Sequence, residues 1–327
     1  MKKSTIGIIG LGKMGGNIAL QAMDKGYGVL GYDLHQNEEI QRQGVSQAPS
    51  VDEMLSSLSE PKIVFVYVPA GAVIDRILEQ LSATMSKGSI IVDGGNSYWG
   101  DSIQRSLKLK ENGIHFIDCG TSGGVDGARN GACFMAGGEP EAMEHVAPIL
   151  TDLAVENGFV HTGAPGSGHY VKLVHNGIEF GMLQAIGEGM DLLSNYREEL
   201  NFPQILKTWN NGSVIRSWLI ELMAKIYNEN NGFESVPSYI EDTGEVNWLV
   251  ADAMRMEVPV PVIAQSVMQL FASRNTERIA DKAIAMMRHG FGGHPFGEDE
   301  GIKYERKFGK IENIESNRLY KKRADNS

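Results

Sequence analysis

A chain of 327 residues with 39 glycines and 42% apolar residues has room for two domains with their own cores. It groups with soluble α/β proteins and not with fibrous or disordered ones. The net charge of −11 argues against nonspecific nucleic-acid binding, and the longest strongly apolar run, residues 63–68, is far too short to span a membrane. The two cysteines, Cys119 and Cys133, belong to no CxxC or Cys/His cluster. The expectation is therefore two buried thiols in a reducing cytoplasm, with no metal site.

Residues 5–10 read as a buried first strand. Lys2-Lys3 ahead of it starts as a secretory leader does, but Gly10, Gly12, Gly15 and Gly16 interrupt the apolar run and no small-residue cleavage site follows. The strand runs straight into Gly10-Leu11-Gly12-Lys13-Met14-Gly15, a G-x-G-x-x-G turn; residues 17–25 then read as a helix and residues 29–33 as a second strand closing on Asp33. That spacing is the fingerprint of a dinucleotide site. Gly10 makes the tight turn, Gly12 lets the backbone approach a pyrophosphate, Gly15 lets helix and strand pack closely, and the helix N-terminus offers free N–H groups. A carboxylate at Asp33 accepts the ribose hydroxyls and repels a 2′-phosphate, and Leu34 and His35 follow it in place of an arginine. The cofactor expected is NAD, with Arg42 the one nearby cation that keeps NADP open.

The alternation continues with strands at residues 62–68, 89–93 and 114–118, and with helices ending near residue 85 and spanning 101–111. Ligands in such sheets lie beyond the carboxyl ends of the strands, which brings in Val68, Pro69, Asn96 and the loop from Gly120 to Gly124. That loop, rich in N–H groups and hydroxyls, reads as an anion cradle. A strand at 131–138, a helix at 141–150 and a strand near Phe159-Val160 complete the domain. From residue 168 to 288 helical periodicity takes over, with helices expected at 170–195, 214–227, 248–256, 260–273 and 277–287. The expected fold is thus an α/β Rossmann-type domain (1–165), an all-α domain (166–296) and a charged tail (297–327) that includes Lys321-Lys322-Arg323.

The helix opening after Gly166 carries Lys172, His175, Asn176 and Glu179 at i, i+3, i+4 and i+7, which places all four on one face among apolar neighbours. Buried charge is costly unless it is paired or employed, so this face is the candidate catalytic one.

Three segments jointly resemble the β-hydroxyacid dehydrogenase superfamily: GLGKMG from Gly10, DCGTSGGVDGARNGACFMAGG from Asp118, and GSGHYVKLVHN from Gly166. Adding His175 and Glu179 to Lys172 and Asn176, together with Arg288-His289-Gly290-Phe291-Gly292-Gly293-His294, narrows the resemblance to the 6-phosphogluconate dehydrogenase family, and the length resembles its short-chain branch. That resemblance implies oxidative decarboxylation of 6-phospho-D-gluconate to ribulose 5-phosphate. It matches Lys172 to the base that takes the C3 hydroxyl proton and Glu179 to the acid that protonates C1. It matches Ser122, Gly123, Gly124 and His175 to carboxylate- and hydroxyl-binding positions, and Asn96 and Asn176 to residues orienting substrate and nicotinamide. Arg288 and His294 match phosphate ligands that reach over from a partner subunit, which implies a homodimer or homotetramer. The cofactor positions implied are Gly10, Leu11, Gly12, Lys13, Met14, Gly15, Asp33, Val68, Pro69 and Asn96.

Two positions depart from the family pattern. Phe180 stands where a tyrosine is common and Leu270 where a phosphate-binding arginine is common, with Arg274 one turn later as the candidate replacement. They keep open a second reading, another β-hydroxyacid dehydrogenase acting on an unphosphorylated acid. A third reading, a dinucleotide-binding regulator without turnover, fits poorly with the intact Lys172/Glu179 pair.

Overall fold

The computed structural model describes residues 3–308. The first part of the chain alternates strands and helices: β1 (Thr5–Ile9), α1 (Lys13–Asp24), β2 (Gly28–Tyr32), α2 (Glu38–Arg42), β3 (Ser46–Gln47), α3 (Val51–Ser56), β4 (Ile63–Val66), α4 (Ala72–Thr84), β5 (Ile90–Asp93), α5 (Trp99–Glu111), β6 (His115–Ser122), α6 (Gly124–Asn130), β7 (Ala132–Gly137), α7 (Pro140–Leu153) and β8 (Ala154–Gly163). Helices follow: α8 (Ser167–Ser194), α9 (Phe202–Trp209), α10 (Trp218–Glu229), α11 (Glu245–Arg255), α12 (Pro261–Arg274), α13 (Ile279–Gly292) and α14 (Glu300–Phe308). By contacts the chain forms two compact units. One runs through Gly177 and includes Glu245–Asp252; the other is Ile178–Gly244 with the residues from Ala253 on.

The strands form one eight-stranded sheet in the order β3-β2-β1-β4-β5-β6-β7-β8. Every pairing is parallel except β6 with β7. Central strands of such a sheet are covered on both faces and so are apolar throughout. Ile6, Ile8, Phe65, Ile90 and Val92 face the core under α1 and α7, while Ile9, Val64, Val66 and Ile91 face the core under α3 and α4. Strand order reverses between β1 and β4, which places the ligand crevice beyond Ile9 and Val66.

The second unit has a small core of its own, in which Met190, Phe202, Leu206 and Ile220 are buried. Phe202, Tyr227 and Phe233 pack on one another with ring centroids 5.0–6.2 Å apart. No strand element occurs here among the described residues. Helix α13 has no buried residue, and Ile279, Ile284, Met286, Met287 and Phe291 on it are all more than half exposed.

Three local expectations are corrected. α1 starts at Lys13, inside the glycine turn, and not near Asn17. The stretch read as an anion loop from Gly120 is largely strand: β6 continues to Ser122 because β7 turns back and pairs with Asp118 to Ser122. Cys119 is buried, but Cys133 is exposed, near the start of β7, where it pairs in register with Ser122, the last residue of β6. Both thiols are free, and burial pushes that of Cys119 well above its ordinary range. The charged tail contains α14, and Lys321-Lys322-Arg323 lies outside the described residues.

Candidate active site

The G-x-G-x-x-G turn sits at the β1 end of the crevice. Gly10 adopts φ +89°, and a side chain there would strike the Tyr67 carbonyl at 2.2 Å; one at Gly15 would strike the Gly10 carbonyl at 2.0 Å. Beyond Gly12, by contrast, space is open to 4 Å. The α1 N-terminus has no side-chain cap, so its first N–H groups are available to an anion. The Asp33 carboxylate closes the turn, accepting from Leu11 N–H at 2.7 Å and His35 N–H at 3.1 Å. An open backbone cradle with free donors and a fixed carboxylate at the end of β2 fit a dinucleotide. Val68 and Pro69 follow β4 on the other side of the switch point. Arg42 turns back on its own helix, 3.7 Å from Glu38.

α8 is one unbroken helix from Ser167 to Ser194, so the sequence spacing of Lys172, His175, Asn176 and Glu179 is realised as one face. Its start is held by Asp118 on β6. The buried carboxylate accepts from Gly166 N–H at 2.6 Å and His169 N–H at 2.7 Å, one oxygen each. Burial pushes this carboxyl above its ordinary range, with the neighbouring His169 ring and the two N–H bonds pulling the other way. Lys172 is 8% exposed. Its Nζ donates to Asn176 Oδ1 at 2.7 Å and lies 3.5 Å from His175 Nδ1. His175 Nε2 meets Ser122 Oγ at 3.1 Å, which joins the end of β6 to the lysine. Asn96, Ser97, His169, Lys172, Leu173, Asn176, Glu245 and Trp248 line a narrow cleft open to solvent. Asn96 is exposed at its rim; the loop bearing it is shaped by Asp93, which accepts from Gly95 N–H at 3.0 Å and Ser97 O–H at 2.7 Å.

The remaining expected residues lie in the second unit. Glu179 is half-buried, two turns beyond Lys172 on α8, with Phe180 beside it. Arg274 closes α12 and is engaged by Asp242 at 2.8 Å and Glu241 at 3.5 Å. Arg288 and His294 come within 3.5 Å of each other at the exposed end of α13, where His289 stacks on Phe296 at 4.5 Å. Among the described residues no cluster of three or more His, Cys, Asp or Glu side chains is placed to hold a metal ion. No helix there is long and apolar enough to cross a membrane.

Comparison with known proteins gives these two parts a context. Residues 5–163 match the NAD binding domain of 6-phosphogluconate dehydrogenase, and residues 168–306 match its C-terminal domain. YqeC of Bacillus subtilis, provisionally named as a 6-phosphogluconate dehydrogenase, is 43% identical over 88% of this chain and 98% of its own length. The chain belongs to the 6-phosphogluconate dehydrogenase family. An NAD(+)-dependent, decarboxylating 6-phosphogluconate dehydrogenase of Haloferax volcanii is 37% identical over 88% of this chain and 97% of its own length. The Plasmodium falciparum 6-phosphogluconate dehydrogenase structure superposes with a TM-score of 0.76 at 26% identity, covering 93% of this chain and 68% of the other. The chain thus spans nearly the whole length of the first two relatives and about two thirds of the third. The fold is accordingly a Rossmann-like domain followed by helices, and the chain is an NAD(P)-binding oxidoreductase of this family.

Two cleft residues, His169 and Glu245, are not singled out in the sequence, and Gly120, expected in an anion loop, has a different place. Gly120 lies against the stem of Lys172, where an added Cβ would come 2.3 Å from Lys172 Cβ. His169 is 2% exposed. Its Nδ1 meets Ser102 Oγ at 2.8 Å, which also donates to the Tyr98 carbonyl at 3.2 Å. Among the described residues its buried Nε2 has no hydrogen-bond partner. Glu245 reaches Asn176 from α11, with its Oε1 accepting from Nδ2 at 3.4 Å. The i, i+3 spacing of His169 and Lys172 was a signal for the histidine; nothing local in the sequence pointed to Glu245.

Proposed function

We propose that the protein catalyses oxidative decarboxylation of 6-phospho-D-gluconate to D-ribulose 5-phosphate with NAD as the preferred cofactor. The observation that carries the reading is the buried Lys172, hydrogen-bonded to Asn176, flanked by His175 and reaching the end of β6 through Ser122. A dinucleotide would be held by Gly10 to Gly15, Asp33, Val68, Pro69 and Asn96, and when bound it supplies the electron-pair acceptor for oxidation at C3. Lys172, as the neutral amine, takes the proton of the C3 hydroxyl. Its ammonium form then faces the new carbonyl oxygen and stabilises the charge that grows there as carbon dioxide leaves. Ser122, Gly123, Gly124 and His175 bind the carboxylate end, Asn96 and Asn176 orient the chain, and Glu179 returns a proton to C1. Arg288 and His294, with Arg274 in support, bind the phosphate. Residues 1–165 are the cofactor domain in this scheme, 166–296 the substrate and dimerisation domain, and the site is cytoplasmic.

The test is direct. Purified protein with 6-phosphogluconate and either NAD or NADP is expected to yield reduced nicotinamide and carbon dioxide in equal amounts. Absence of turnover with both cofactors removes the reading, and turnover of an unphosphorylated hydroxy acid in its place establishes the alternative substrate. Asp33 supports the cofactor preference, because its carboxylate meets a 2′-phosphate with like charge. Asp33→Ser is expected to narrow the NAD over NADP ratio of kcat/KM by about tenfold or more; an unchanged ratio assigns the preference elsewhere.

The uncovered apolar face of α13 supports a homo-oligomer, since a face carrying Met286, Met287 and Phe291 in water is unusual for a monomer. Light scattering is expected to give a dimer or a larger assembly. Met287→Glu is expected to weaken the assembly and raise KM for the phosphorylated substrate. A fully active monomer refutes the shared phosphate site.

A further inference from the structure

We propose that Glu245 is a positioning residue of the cleft: its carboxylate fixes the orientation of the Asn176 amide and, through that amide, the charge state of Lys172. The inference rests on the dehydrogenase reading above for the role of the lysine, and on the geometry alone for the coupling.

Glu245 opens α11, whose first two turns fold with the Rossmann unit. The helix is pinned there by Asp252, which is 3% exposed and accepts from Tyr98 O–H at 3.0 Å and Trp99 Nε1–H at 2.8 Å. Trp248 packs edge-on against Tyr98 at 5.7 Å, and Val246 and Leu249 are buried. A buried, doubly bonded anchor two turns away thus delivers Glu245 to the cleft wall. A primary amide has one donating end and one accepting end. With Asn176 Nδ2 donating to Glu245, the oxygen of that amide is left to face Lys172, and Nζ donates to it at 2.7 Å. The opposite flip would set two donors against each other in a buried place.

The charge of Glu245 matters as well as its hydrogen bond. Lys172 is faced by His175, Asn176 and His169 from its own helix, with Glu179 two turns on. Asn96 and Ser97 face it from the β5–α5 loop, Gly120 from β6, and Glu245 and Trp248 from α11. Glu245 is the carboxylate that the described cleft lining supplies from outside α8. A nearby negative charge favours the ammonium form, whereas a base that accepts the hydroxyl proton must start as the amine. Glu245 therefore sets the pH at which Lys172 becomes available.

Acetylation of Lys172 by acetic anhydride in the full-length protein, followed against pH by peptide mass spectrometry, reads the amine fraction without any substrate. Glu245→Gln keeps an oxygen for Asn176 and removes the charge, so the midpoint is expected to fall by about half to one pH unit. The acidic limb of kcat/KM for 6-phosphogluconate with NAD is expected to move by the same amount. Glu245→Ala also frees the amide and is expected to lower kcat by about tenfold, a loss that the glutamine variant largely avoids. An unchanged acetylation midpoint in Glu245→Gln overturns the proposal, whether or not 6-phosphogluconate is turned over. Absence of turnover by the unmodified protein removes the substrate reading alone and leaves the midpoint to decide for Glu245.

Discussion

Gly120→Ala is expected to lower kcat by about a hundredfold or more while leaving dinucleotide affinity nearly unchanged. The argument is steric. Gly120 lies within β6, paired with Met135 of β7 and wholly buried. A methyl group there would stand 2.3 Å from Lys172 Cβ and 2.8 Å from its Cγ, where carbon atoms rest at about 3.5–4.0 Å. The strand has little room to yield, because β7 pairs with it from Asp118 to Ser122 and β5 holds it up to Asp118. The lysine stem must yield, and with it the contacts of Nζ to Asn176 and His175. A shift of that kind at the base proposed above costs far more in rate than in stability, for which about 1–3 kcal/mol is expected from overpacking. The G-x-G-x-x-G turn follows β1 and does not touch Gly120, so titration of dinucleotide fluorescence serves as the control. Turnover within twofold of the unsubstituted protein would mean that Lys172 is not held by this strand.

Gly120 also marks where sequence reading stops. The order of β1, α1 and β2 was legible because local signals agree there: an apolar strand, glycines at fixed intervals and an acidic residue at the right distance. The helical face of Lys172, His175, Asn176 and Glu179 was legible because spacing along a helix converts directly into direction. The end of β6 was not, because whether Gly120, Thr121 and Ser122 form loop or strand depends on pairing with β7, a long-range choice that glycine and hydroxyl residues do not announce. α9 was missed for its length of 8 residues, although Asn201 accepting from Gln204 N–H and Pro203 in its first turn are ordinary start signals. Glu245 was out of reach for a stronger reason. Its place depends on Asp252 meeting Tyr98 and Trp99 across separations of 154 and 153 residues. The residues just before it, from Asn231 to Gly244, read locally as a polar, glycine- and serine-bearing connection. Arg288 and His294 were legible only as a motif, and the single chain leaves them side by side at the exposed end of α13.

Asp118→Ala is expected to destabilise the protein by about 2–4 kcal/mol and to lower kcat by an order of magnitude or more. In the sequence Asp118 is only the last residue of an apolar strand. In the fold its two oxygens take the two backbone N–H groups that open α8, and no other described group is bonded to them there. Alanine leaves two buried donors unsatisfied, at about 1–3 kcal/mol each, offset in part by no longer burying a charge. Because Lys172 lies one turn beyond His169, loosening the helix start moves the lysine directly. Asp118→Asn separates the effects. It keeps one acceptor and cannot ionise, so it resembles the protonated wild-type side chain. Burial raises the carboxyl of Asp118 above its unfolded value, so its stabilising contribution is complete below the unfolded range near pH 4 and is lost as pH rises through the folded value. The asparagine variant has no such loss. Denaturant midpoints of wild type and Asp118→Asn are therefore expected to lie closest below pH 4 and to shift in favour of the variant as pH rises toward 8. A difference between the two that moves the other way with pH would show that the N–H bonds, and not burial, govern this carboxyl, and would make the start of α8 an anion-dependent clamp.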